Sequence, residues 1–356
     1  MQSRNSKFKI NLVILNLFQD IIKMLNQVQH DIIFKFLLVF LTFNFSLFSF
    51  NLSPAQAQQV SLSLSPTLTE LAIKPGHSAL QKYKLTNLGD PTIVKIRILP
   101  FEPKGNLGNI KIKNLLESPI RFELDNELIT LEEPFFLKNA NSIEILLNVL
   151  VSEGTPPRDY YFSLLAESQA PPTQEGTSNV RAKISVGSNL LLTVTQKGQI
   201  EIKPKISLFE VIPKNKIRLL GFNINLFDSF EKIPLVLLVE NKGKNLLKPR
   251  GEIILRGPFW QTDKFEIKPQ NVLAGSQRTL TVESNRTSNP QPQTPNSLTL
   301  SGFYLGKYNL SANISFGDGT PALYSSTSFF VVPIKIAILI IATILLGLVF
   351  RKRLIK

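Results

Sequence analysis

The chain has 356 residues, enough for about two globular domains once its two apolar ends are set aside. It contains no cysteine, which excludes a disulfide framework, a thiolate metal site and a cysteine nucleophile. The formal charge of +14 is inflated by the ends: five Lys/Arg and two Asp/Glu lie in residues 1–57 and five Lys/Arg in residues 335–356, leaving 30 basic against 24 acidic residues between them. That mild excess forms no clustered basic stripe, so nucleic-acid binding has neither a motif nor a patch to rest on, and the partners left open are anionic wall polymers, headgroups and proteins.

From the amino terminus, residues 34–50 are rich in Phe and Leu and lead into Ser53-Pro54-Ala55-Gln56-Ala57. An apolar run ending in Ala-x-Ala reads as a secretory signal peptide, with the mature chain starting at Gln58. The region before it is long if Met1 is the start; Met24 is a second possible start, with Lys35 then supplying the positive charge. Residues 16–31 resemble translated dispersed repeat DNA, and an amphipathic interfacial helix over 10–25 is equally open on pattern. An uncleaved signal would leave a second membrane helix, with the following region still outside.

Residues 58–330 read as strands and turns. Val60, Leu62 and Leu64 alternate with serines, a period of two that half-buries a strand. Short apolar segments bounded by Pro, Gly or Asn follow at 83–86, 93–99, 143–151, 160–166 and 190–195, and no long segment repeats its apolar residues at helical spacing. The expectation is an all-β fold of two tandem immunoglobulin-like β-sandwich domains, 58–198 and 199–330, joined by a short connector near 196–202 that limits bending. The Pro-rich stretch 170–176 is expected as an excursion within the first domain, and 284–297 as a polar loop within the second.

One plan occurs twice. A strand closes on Asn87-Leu88-Gly89 in the first half and, after 235–239, on Asn241-Lys242-Gly243 in the second. Asn139–Ser142 then precedes a strand over 143–151, as Ala274–Gln277 precedes one over 278–282. Each half ends in a turn, a tyrosine and a strand: Gly154 to Tyr160, and Gly306 to Tyr308. In a sandwich such a tyrosine packs near the last strands and ties its hydroxyl to nearby backbone. Phe316-Gly317-Asp318-Gly319 is a hairpin signal.

These residues carry a resemblance. Lys74-Pro75-Gly76-His77-Ser78, Tyr83–Asn87, Gly154–Phe162 and Val186–Val194 are similar to the amino-terminal domain of bacterial WxL-interacting surface proteins, an immunoglobulin-like module described as peptidoglycan-binding. Asn241–Gly243, Lys248–Ile253, Asn271–Ser276 and Gly306–Tyr308 are similar to their membrane-proximal domain. The resemblance covers nearly the whole mature chain and implies adhesion or scaffolding at the cell surface; it carries over no defined binding residue.

Catalytic chemistry finds little material. His77, in a Pro-Gly turn, is the only imidazole after the leader, which excludes a His-pair metal site and leaves a Ser-His-Asp set without support. Glu132 and Glu133, adjacent on an expected strand, would point to opposite faces rather than flank one glycosidic bond. There is no phosphate-cradling glycine loop, and no cofactor is expected. Lys248-Pro249-Arg250-Gly251 reads as a solvated basic turn. Candidate binding residues are therefore surface anchors: Arg256, Phe259 and Trp260, which hold the only tryptophan beside another aromatic, and more weakly Phe135 and Phe136. Packing of Trp260 back onto the sandwich is the favoured expectation for that residue.

The chain closes on an apolar run, 336–350, followed by Arg351, Lys352, Arg353 and Lys356. This reads as a single transmembrane helix over 331–350, including Val331, Val332 and a snorkelling Lys335, with a basic cytoplasmic tail at 351–356. The function expected is a non-enzymatic, membrane-anchored bacterial surface protein, an adhesin or scaffold for a surface protein or wall polymer. The alternative is an extracytoplasmic accessory or chaperone-like subunit of a transport or secretion complex.

Overall fold

A computed structural model of the chain describes residues 60–169, 183–213, 216–219, 222–258, 260–284, 298–317 and 319–354, with a few positions between 19 and 40. Most of the signal peptide, Met24, the excursion at 170–176, most of the 284–297 loop, Phe259 and Asp318 lie outside the described residues. The β architecture belongs to one compact unit, Gln59–Gln174 with Ala182–Lys356.

Within that unit lie two lobes, each with its own hydrophobic core. The first contains β1 (Leu62–Ser65), β2 (Leu68–Ile73), β3 (Ser78–Asn87), β4 (Thr92–Lys104), β5 (Asn109–Ile112), β6 (Ile120–Leu124), β7 (Pro134–Leu137), β8 (Ser142–Val151), β9 (Arg158–Gln169) and β10 (Ser185–Val194). One sheet runs β1-β3-β8-β6 and the other β2-β10-β9-β4-β5, with β7 also on β4. The second contains β11 (Pro204–Val211), β12 (Lys216–Leu219), β13 (Phe222–Asp228), β14 (Ile233–Asn241), β15 (Arg250–Arg256), β16 (Thr262–Ile267), β17 (Gln277–Thr279), β18 (Val282–Ser284), β19 (Leu298–Leu300), β20 (Gly306–Ser315) and β21 (Leu323–Val332). Here the sheets run β11-β14-β17, with β19 on β14, and β12-β13-β21-β20-β15-β16-β18.

The all-β expectation holds, and the period-two pattern is its cause. Leu62 and Leu64 of β1 are buried while Ser63 and Ser65 are exposed. Alternate residues of β14 and β20 likewise face a core. Tyr83, Leu85, Ile145, Leu147 and Phe162 fill the first core; Phe227, Val239, Ile253, Leu310 and Phe329 fill the second. The doubled plan is visible atom by atom. The Asn87 side chain accepts from Gly89 N at 3.0 Å and donates to Asp90 O at 2.8 Å, and its own amide reaches Asn141 O. Asn241 accepts from Gly243 N at 3.0 Å, donates to Asn245 O at 2.8 Å, and its amide reaches Ser276 O. Both asparagines are fully buried. In each lobe an early strand also lies parallel to the last one, β2 on β10 and β13 on β21.

Three expectations change. The segment 278–282 is not one strand: it breaks into β17 and β18 on different sheets, because Thr279 and Leu280 are both buried and the chain must turn between faces. Glu132 and Glu133 lie in the turn before β7, where Glu132 binds Lys95 and Arg97 and Glu133 accepts from Thr130. Val331 and Val332 belong to β21, not to a helix: β21 pairs with β20 up to Val331, and Pro333 separates it from α1 (Ile334–Leu354). The amide of Lys335 in the first turn of α1 donates to Asp228 Oδ1 at 3.1 Å, so a carboxylate from β13 caps the helix. That bond, with smaller help from the Phe230 amide and the Lys335 ammonium, outweighs burial and holds the Asp228 carboxyl below its ordinary range. Side chains of α1 are described to Leu348, and among the described residues no helix is long and apolar enough to cross a membrane.

Replacing Asn87 with alanine strips several bonds from one buried turn and should destabilise the fold by about 2–4 kcal/mol, whereas Leu88→Ala, exposed beside it, should stay within about 0.5 kcal/mol. Denaturant midpoints of the two variants check this.

Candidate functional site

The two lobes meet on a buried carboxylate. Asp159 opens β9 in the first lobe. Its Oδ1 accepts Thr193 Oγ1 at 2.8 Å and Asn245 Nδ2 at 2.7 Å; its Oδ2 accepts the Leu246 amide and, at 3.2 Å, the Tyr161 hydroxyl. Its own amide donates to Lys244 O at 3.0 Å. Asn245 also accepts from Glu201 N at 2.8 Å, so the same side chain braces the connector between β10 and β11. Tyr161 completes the joint by accepting Ala274 N at 2.9 Å while its ring stacks on Phe101. Burial first, and then the Asp159 charge, push the Tyr161 hydroxyl well above its ordinary range, which keeps it a proton donor.

A second contact lies at the rim. Glu70 of β2 accepts Lys248 Nζ and, at 2.9 Å, Asn271 Nδ2. Burial opposes its ionisation, but these two bonds and the Lys248 charge prevail and hold its carboxyl below the usual range. A third contact runs from Thr279 N to Asn106 O at 2.7 Å, at the tip of the β4–β5 hairpin.

Between these contacts lies a cleft of about 710 Å³ whose walls include Glu70, Phe101 and Leu191 from the first lobe and Lys248, Arg250 and Arg278 from the second. Arg278 is its most unusual group. Nη1 donates to Asn271 O at 2.8 Å, Nε is buried without a partner, and no carboxylate among the described residues pairs with the guanidinium. Burial alone pulls its pKa below the ordinary arginine value. The hairpin packs closely on it: a Cβ at Gly108, where φ is 81°, would stand 2.7 Å from the guanidinium carbon. A half-buried cation with no carboxylate partner in a concave site is suited to receive an anionic group.

The sequence-predicted residues are scattered. Phe135 packs partly against the first core and Phe136 is exposed, both on β7. Arg256 ends β15 in the second lobe and is exposed. Trp260 is 99% exposed, against the expectation that it folds back. The space beneath its loop is already filled, since the Tyr308 ring lies against Gly257. His77 is an exposed turn residue, with Nδ1 3.1 Å from Pro75 O. Tyr160 ties its hydroxyl to Pro156 O at 3.1 Å, as expected of a packing tyrosine. Lys248, read as a solvated basic turn, instead bridges the lobes. The site residues missed in sequence are Asp159, Tyr161, Asn245, Glu70 and Arg278.

No family model matches the chain, and no curated protein matches it. Among solved structures it is similar to the class 5 fimbriae chaperone CfaA, at 10% identity over 75% of this chain and 99% of that one, with a TM-score of 0.34. It is also similar to the E. coli chaperone DraB (13% identity, 76% and 98% covered, TM-score 0.33) and to the Salmonella enterica SafA pilin in complex with the SafB chaperone (11%, 76% and 98%, TM-score 0.33). Likeness at these scores is too slight to carry a function.

Asp159→Ala would leave the Asn245 and Leu246 donors buried and unmatched. It should cost about 3 kcal/mol and split one calorimetric unfolding transition into two. The Glu70 contribution, from a carboxyl whose pKa is lowered by folding, is fully present above the ordinary carboxylate range and is lost as pH falls through the lowered value. A pH series on wild type and Glu70→Gln should therefore converge in acid and diverge above about pH 5.

Proposed function

We propose that this chain is a non-enzymatic accessory protein of the extracytoplasmic face, built from two tandem immunoglobulin-like β-sandwich domains and held to the membrane by its carboxy-terminal helix. It binds a polypeptide partner in the cleft between the domains. The observation that carries the reading is the half-buried Arg278 guanidinium, which no carboxylate among the described residues pairs, in a cleft flanked by three inter-lobe contacts. A concave wall with apolar Leu68 and Ile110 beside the cations Lys248, Arg250 and Arg278 suits an extended apolar segment that ends in, or carries, a carboxylate. This favours the accessory reading over general adhesion. It keeps the surface placement that the resemblance to WxL-interacting proteins implies.

The membrane anchor is supported by chemistry rather than by the length of described side chains. Ile338, Leu339, Ile340, Ile341, Ile344, Leu345 and Leu346 are all more than half exposed and face every side of α1. A single protein groove would cover one face, whereas a bilayer covers all of them at once. The helical backbone continues to Leu354; its uncharged run, residues 336–350, spans about 22 Å at 1.5 Å per residue, with Lys335 before it and Arg351 after it in the chain.

Full-length protein in detergent should be tested on an array of apolar peptides ending in a free or an amidated carboxyl terminus. Free-carboxylate peptides should bind at least about tenfold more tightly than amidated ones, and Arg278→Ala should remove that preference. Equal binding of both forms would sink the anion-binding role of the cleft. Retention of purified wall glycan with no peptide bound would return the function to wall adhesion.

A further inference from the structure

The second lobe has two unlike ends, and strand register identifies them. Arg250 of β15 pairs with Ser315, at the end where Asn245, Lys248 and Asn271 meet the first lobe. At the opposite end Gly306 pairs with Val331, Arg256 pairs with Asn309, and Asp228 pairs with Val332, two residues before α1. Three loops converge there: 229–232 after β13, 257–261 after β15, and 301–305 before β20. They touch one another and the helix base. Tyr304 N donates to Ser229 O at 3.1 Å, the Tyr308 hydroxyl donates to Gln261 Oε1 at 2.8 Å and accepts from Leu305 N, and Asp228 caps α1.

These loops expose apolar side chains outward. Trp260 is 99% exposed, Phe230 61%, Phe303 52% and Leu305 41%, and Phe330 and Val332 of β21 are also exposed beside the helix base. Phe230 and Phe303 pack on each other as a tilted pair, 5.2 Å between ring centroids and 56° between ring planes, and both stay more than half exposed. Trp260 is held outward by a backbone at φ 62°, a conformation a bulky residue adopts only when its loop enforces it. Among the described residues the cations at this end include Arg256, Lys232, Lys307, whose ammonium stands 5.8 Å from the Phe330 ring centre, and Lys335; against them stand Glu231 and the capped Asp228.

We infer that these three loops form an aromatic apron that seats the second lobe directly in the headgroup and upper acyl region of the bilayer. The inference rests on the reading of α1 as a membrane helix. Continuity carries it: the exposed aromatics surround the base of the one described helix whose apolar side chains lie open on every side, at the depth where Trp and Phe side chains meet headgroups and upper acyl chains. The occupant is lipid, with Arg256, Lys307 and Lys335 facing anionic headgroups. The lobe then stands on the membrane through α1 and the apron together, which restricts its tilt.

The chain carries its own reporter, because Trp260 is its only tryptophan. Full-length protein is reconstituted into phosphatidylcholine/phosphatidylglycerol vesicles, floated on a density gradient and excited at its tryptophan. The expected result is co-flotation with a blue-shifted emission, quenched more by lipids brominated near the headgroup end of the acyl chain than by lipids brominated near its methyl end. Phe230→Ser with Phe303→Ser, at two exposed positions, should lessen that quenching while flotation persists. Flotation with Trp260 unquenched by bromolipid and open to acrylamide overturns the apron and leaves the anchor standing. Failure to float overturns both. A blue shift that appears without lipid and grows with protein concentration assigns the surface to a second copy and overturns the lipid reading.

Discussion

Asp159 is the constraint on which the rest of the molecule depends. A buried carboxylate is costly unless its oxygens are filled, and here four donors fill them, two from the first lobe (Thr193 and Tyr161) and two from the second (Asn245 and Leu246). Half of its compensation comes from across the joint. Separating the lobes would leave a buried charge short of donors and would also uncover the Phe101–Tyr161 stack. The joint therefore behaves as part of a core rather than as a hinge, and the cleft beside it has a fixed shape. A fixed cleft spends no binding energy on ordering its own walls.

The same lobe carries a second carboxylate joint at its other end. Asp228 accepts the Lys335 amide just as Asp159 accepts the Leu246 amide, so an acidic side chain from one element satisfies an exposed backbone donor of the next. With β21 running through Val332 and the helix beginning at Ile334, a single proline lies between strand and helix. Neither joint leaves a free linker. Motion at the helix base would be passed to the cleft through packed β-strands, not absorbed between them.

How much of this was legible in the sequence follows from how local each feature is. The strands were readable because alternation in a stretch such as Leu62–Ser65 records which face is buried. The Asn-x-Gly turns were readable because their chemistry is completed within a few residues. The Asp159 joint was not, since Asn245 lies 86 residues away and an Asp before two tyrosines carries no mark of what it will meet. Lys248 in a Lys-Pro-Arg-Gly turn reads as solvated until Glu70, 178 residues earlier, is placed opposite it. The segment 278–282 reads as one strand because nothing local marks the point within it where the chain changes sheets. Trp260 misled for a steric reason: the residue that fills the space beneath its loop is Tyr308, which no local pattern connects to it.

The two joints together decide how the molecule presents its cleft. β20 spans ten residues, about 33 Å at strand rise, and its ends mark the helix base and the lobe junction. Because Asp228 fixes one end and Asp159 the other, the cleft keeps a set distance from the base of α1. A tether would let the cleft sample many orientations and would favour capture of dilute, soluble ligands. On the function proposed above, a stiff column favours a partner that emerges at a defined distance from the membrane, such as a segment of a polypeptide leaving it.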